Sequence, residues 1–160
     1  MSLDLTIQNR QRTRAIDLRQ LRRICAELLR EHLRIEKVEL GITLVAAAEM
    51  TRLNEAFLHH EGSTDVITFD YHEPGTQGSK SGAEICGELI ICVDESVSQA
   101  KRFRTTWQSE LIRYIVHGVL HLLGYDDRRA ADRRRMKQEE ERLLRLLTIA
   151  GLASGSREET

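Results

Sequence analysis

No stretch of this 160-residue chain approaches the roughly 18 uninterrupted apolar residues of a helical membrane span. The N-terminus lacks a basic segment followed by an apolar run, so no secretory signal is expected. Cysteine is scarce. Cys25, Cys86 and Cys92 are odd in number and show no C-x-x-C spacing. They read as buried free thiols in a reducing, cytoplasmic setting. On one strand, Cys86 and Cys92 would stand about 20 Å apart, beyond disulfide reach. A net charge of −1 excludes a molecule that is basic as a whole, so any attraction to nucleic acid must be local. The sole proline, Pro74, falls with Gly75, Gly78 and Gly82 in a segment that reads as a flexible loop. There is no internal repeat and no domain linker.

What is present suits one globular domain. Hydrophobic residues make up 41% and charged residues 31%, and the chain is long enough to bury a core without disulfide staples. The expected domain runs over 1–150, with 151–160 a frayed, polar tail. Leu3, Leu5 and Ile7 alternate with polar residues, the pattern of a strand. From Asp17 to Leu33 the period becomes helical, with Leu21, Ile24, Cys25, Leu28 and Leu29 as its stripe. Val38, Leu40, Ile42 and Leu44 predict a second strand, and 46–58 a helix. Val66–Phe69 and 84–93 predict two more strands. Asp94 is the expected N-cap of a helix through Arg104. Thr105-Thr106-Trp107-Gln108 has the capping-box pattern T-x-x-Q and opens the next helix. A last helix follows it. The order β-α-β-α-β-β-α-α-α predicts an α+β fold: a small mixed sheet of about four strands, helices on both sides, and one central buried helix.

That central helix carries the chemistry. His117 and His121 stand one turn apart on one face of a helix otherwise rich in Ile, Val and Leu. Two imidazoles so placed make a two-point claw for a divalent metal, zinc above all. An ordinary helix can also carry histidines at this spacing, but here the helix is expected to be buried, and buried ring nitrogens need partners. Gly124 supplies the left-handed residue that ends helices. Tyr125-Asp126-Asp127 then returns over the helix end, where a carboxylate can add a third ligand and leave a fourth position to water. The zinc-protease signature H-E-x-x-H is absent, because Gly118 follows the first histidine. Close backbone approach, or room near the metal, would account for glycine there.

Charge is distributed in clusters. Arg10, Arg12, Arg14, Arg19, Arg22 and Arg23 crowd the first helix, and Arg128, Arg129, Arg133, Arg134 and Arg135 follow the histidine motif. Each cluster reads either as a solvated face or as a phosphate contact.

The run His117-Gly118-Val119-Leu120-His121-Leu122-Leu123-Gly124-Tyr125-Asp126-Asp127 resembles the H-G-x-L-H-L-x-G-Y-D-H signature of the YbeY family of bacterial endoribonucleases and rRNA maturation factors. Only the last position departs. The resemblance implies a zinc triad of His117, His121 and Asp127, with aspartate where the family has histidine. A second segment, Asn54 to Phe69, is similar to the family's N-x-x-Y-R-x-K-D-x-P-T-D-V-L-S-F, matching at Asn54, Thr64, Asp65, Val66 and Phe69. Leu58 stands where the family carries an arginine implied to act on RNA, with His59 and His60 beside it. Gly87-Glu88-Leu89-Ile90-Ile91 resembles G-D-I-x-I. Glu110 fits the pattern, Arg113 replaces a histidine of many members, and Met136, Glu139, Glu140, Leu143 and Leu144 match the closing helix.

The resemblance implies a zinc-dependent endoribonuclease or maturation factor acting on ribosomal RNA or its precursors, with the small ribosomal subunit as a partner. The proton acceptor stays open among Asp126, Asp65 and Glu88. Two other readings stand beside it: a metal-dependent hydrolase of another substrate such as a peptide, and a non-catalytic ribosome-assembly factor with a structural metal.

Overall fold

The computed structural model describes residues 2–58, 64–72 and 84–147. Its elements are β1 (Ser2–Asn9), α1 (Leu18–Ala26), β2 (Lys37–Val45), α2 (Ala47–Leu58), β3 (Val66–Asp70), β4 (Glu84–Cys92), α3 (Val93–Phe103), α4 (Trp107–Leu122) and α5 (Ala130–Leu146). The expected order of strands and helices is met. The segment 73–83, the tail and His59 and His60 lie outside the described residues.

Asp17 starts α1 by accepting hydrogen bonds from the backbone N–H of Arg19 and Gln20, both at 3.1 Å. The helix then widens into a π-helical segment, Glu27–His32, which closes with Leu33 N donating to Leu28 O at 2.9 Å. The sheet order is β1-β2-β4-β3, with β3 antiparallel to β4 and the other pairs parallel. Strand register puts Leu5, Leu40, Ile42, Leu44, Leu89 and Ile91 on one face, where α1 and α4 pack. The opposite face offers Val45, Ile67, Ile90 and Cys92 to Met50 of α2. The period-2 alternation therefore feeds two cores, one on each side of the sheet. Among the described residues no helix is long and apolar enough to cross a membrane.

Three local expectations are corrected. Asp94 does not cap α3, which starts at Val93 with Cys92 in the cap position, two residues earlier than expected. The Asp94 carboxylate instead accepts from Ala47 N at 2.6 Å, at the start of α2, and from the Thr13 hydroxyl. The cap of α4 is Thr106, accepting from Ser109 N at 3.1 Å, while Thr105 donates to the buried Glu110 at 2.7 Å. A single-residue shift of the capping pattern thus frees Thr105 for a side-chain partner. Cys86 is half-buried rather than buried, with its thiol 3.7 Å from Glu39 Oε2. Cys25 is fully buried, and burial pushes its thiol up to about 12.

Part of the first arginine cluster is structural. Arg22 donates to the Leu5 carbonyl at 2.6 Å, and Arg10 pairs with Glu49 at 2.5 Å.

Candidate metal centre

Helix α4 is buried along most of its length because nearly every position from Leu111 to Leu122 is apolar. It lies so close to β4 that a Cβ at Gly118 would stand 2.6 Å from Leu89 Cδ2. Of the two explanations for that glycine, close approach is the one the packing supports. The contact lowers α4 onto the sheet and fixes the height of the two histidines on either side of it.

The helix ends in a Schellman turn. Gly124 has φ of 100°, its N–H donates to His121 O, and Tyr125 N donates to Leu120 O, both at 3.0 Å. Tyr125 is tied down by its hydroxyl, 3.3 Å from Glu139 Oε2 on α5. The turn carries Asp127 back toward the histidines. His121 Nε2 is 3.2 Å from His117 Nε2 and 3.6 Å from Asp127 Oδ2. One donor atom from each of these three residues lies within 4.8 Å of the others, the only such group among the described residues. Two imidazole nitrogens and a carboxylate oxygen converging this closely form a donor set that suits zinc. Asp127 does not serve as the cap of the next helix. Helix α5 starts from Arg129, and no side chain caps it.

The electrostatics of the two histidines differ. For His117, burial opposes the charged ring, but the Glu140 carboxylate at 3.0 Å outweighs it and holds the pKa above the ordinary histidine value. For His121, burial and the neighbouring His117 depress the pKa, against a smaller pull from Asp127. Glu140 is itself held below the usual carboxylate range. Burial works against ionisation there, and hydrogen bonds from His117 and Arg113 overcome it.

A cleft of about 470 Å³ reaches two members of the group, His117 and Asp127, and is lined besides by Ala130, Arg133, Arg134, Met136, Lys137 and Glu140. Arg133 also donates to the carbonyls of Asp127 and Arg128, at 3.2 and 3.1 Å, bracing the returning turn. A second cleft shares His117, Lys137 and Glu140 with the first and includes Asp65, Glu110, Arg113 and Tyr114.

The three carboxylates considered as proton acceptors separate. Asp65 shares the second cleft with His117, and its Oδ1 accepts from Val66 N at 2.7 Å. Asp126 turns toward Arg128, accepting from its backbone N at 3.1 Å. Glu88 pairs in register with Phe69 and Gly41, on the sheet face opposite α4. Leu58 ends α2 and is exposed.

What the sequence did not reveal was the partnership of Glu140 with Arg113. A signal was available: Met136, Glu140 and Leu143 keep helical spacing on the buried side of α5, so a carboxylate occupies a core-facing position.

A family model described as Endoribonuclease YbeY matches residues 6–148. A curated protein named Endoribonuclease YbeY from Chlorobium phaeovibrioides is 43% identical over 105 residues, covering 66% of this chain and 65% of that protein. Proteins of the same name from Salinibacter ruber and Chlorobium luteolum are 36% and 37% identical. Their matches cover 66% and 69% of this chain, and 68% and 74% of their own lengths. The solution structure of a Thermotoga maritima protein superposes with a TM-score of 0.62 at 25% identity, covering 88% of this chain and 86% of that one.

Proposed function

The chain belongs to the YbeY family, and from that membership we propose that it is a metal-dependent endoribonuclease acting on ribosomal RNA or its precursors. The observation that carries the reading is the convergence of His117, His121 and Asp127, two of which, His117 and Asp127, line a cleft together with Arg133, Arg134 and Lys137. Zinc is the metal that two imidazoles and a carboxylate favour. Held there, it would supply a Lewis acid that withdraws charge from a scissile phosphate.

The chain's own residues do the rest. Arg133, Arg134 and Lys137 hold phosphates along the cleft, a local attraction in a molecule of near-zero net charge. Asp65, which lines the second cleft with His117, accepts the proton that the attacking water loses as it bonds to phosphorus, and the leaving oxygen takes its proton from solvent. Asp65→Asn is expected to slow RNA cleavage on the order of tenfold to a hundredfold while zinc affinity stays unchanged. Equal cleavage by the variant and the wild type would remove Asp65 from the chemistry.

The same reading places the protein in the cytoplasm, working on the small ribosomal subunit. Incubation with structured RNA and with casein, each with and without chelator, separates nuclease from peptidase. Cleavage of RNA alone, lost in chelator, is expected; cleavage of casein alone would overturn the assignment.

The exposed Leu58 favours the last of the three readings, a non-catalytic assembly factor, because it removes a cation that the family resemblance leads one to expect. Leu58→Arg is expected to tighten RNA binding and to steepen its salt dependence by roughly one unit in the log–log slope. An unchanged slope and unchanged cleavage would show that position 58 does not face RNA.

A further inference from the structure

Glu140 is a carboxylate in the wrong surroundings. Its side chain is only 6% exposed, and it shares its side of α5 with Met136 and Leu143. A charge so placed is costly unless it is paired and hydrogen-bonded. Its two oxygens are each hydrogen-bonded, and Lys137 Nζ stands 3.8 Å from Oε1. Oε2 lies 3.0 Å from His117 Nδ1, and Oε1 lies 3.0 Å from Arg113 Nη1. Arg113 is anchored in turn by Glu141 at 2.6 Å.

An ionised carboxylate only accepts hydrogen bonds, so the proton between Glu140 and His117 sits on Nδ1. In the neutral ring that leaves Nε2 with a bare lone pair. Nε2 is the atom that faces His121 Nε2, in the group completed by Asp127. We propose that Glu140, clamped by Arg113, is the positioning residue of the site: it sets His117 as the Nδ1–H tautomer and aims Nε2 at the metal position. The proposal rests on the metal-binding reading above. It also gives Arg113 a role. A guanidinium is not a metal ligand, and by taking Oε1 it keeps Glu140 in the outer shell, where an imidazole at 113 would add another donor.

The test reads the tautomer and the metal affinity separately. Long-range ¹H–¹⁵N spectra of metal-free wild-type protein, recorded above the imidazole titration range, are expected to show His117 protonated at Nδ1 and bare at Nε2. Glu140→Ala is expected to release the ring toward the Nε2–H form that free imidazole prefers. Glu140→Gln keeps an acceptor oxygen and should keep the wild-type tautomer. In competition with a chromophoric chelator, zinc affinity should fall about 10–100-fold in Glu140→Ala and less in Glu140→Gln.

A wild-type His117 protonated at Nε2 overturns the proposal, and so does wild-type zinc affinity in a folded Glu140→Ala protein. If Glu140→Ala does not fold, the wild-type and Glu140→Gln spectra still decide. A wild-type protein that takes up no zinc sinks the metal reading instead, and the tautomer spectrum then judges Glu140 on its own.

Discussion

His121→Ala is expected to abolish stoichiometric zinc binding and, with it, RNA cleavage. His121 is the hub of the group, with Nε2 3.2 Å from His117 Nε2 and 3.6 Å from Asp127 Oδ2. If about 10 kcal/mol of apparent zinc affinity is shared among three protein ligands, losing one costs roughly 3 kcal/mol. That is on the order of a hundredfold or more in affinity. The fold should survive, because His121 is half-buried at the end of α4 while Leu120 and Leu122 beside it are fully buried. Circular dichroism and thermal melting of the variant, beside metal analysis after dialysis, check both halves. A folded His121→Ala protein that keeps one tightly bound metal would place the metal elsewhere.

Asp127→Ala is expected to weaken zinc roughly a hundredfold, and Asp126→Ala by no more than about threefold. The two residues are adjacent and alike in charge, so a general electrostatic effect would treat them equally. Geometry does not. Asp127 Oδ2 reaches the histidines, whereas Asp126 serves the backbone N–H of Arg128. Zinc titrations of the two variants side by side read the contrast. Equal, wild-type-like affinities in both would remove Asp127 from the site.

Much of this was legible from residues alone, for physical reasons. The stripe of Leu21, Ile24, Cys25, Leu28 and Leu29 could bury itself only as a helix. The alternation of Val38 to Leu44 could bury itself only as a strand. His117 and His121 were a pair in any helical reading, and the conformation demanded of Gly124 announced the turn that returns Asp127. Other features needed the third dimension. Asp94 had the chemistry of a cap, but which helix it caps depends on where β2 and α2 lie, and it serves Ala47. Glu88 looked like a candidate base until strand register turned it to the far face. Glu140 and Arg113 are 27 residues apart, and only the packing of α5 on α4 makes them a pair.

In the function proposed above, His117, His121 and Asp127 hold one metal on which RNA cleavage depends. The most direct measurement is cleavage of a structured RNA by chelator-treated, dialysed protein as zinc is returned in fractions of an equivalent. No cleavage is expected without metal, and activity should rise linearly and level off at one zinc per chain. Cleavage that persists at full rate in the metal-free protein would remove the metal from the reaction.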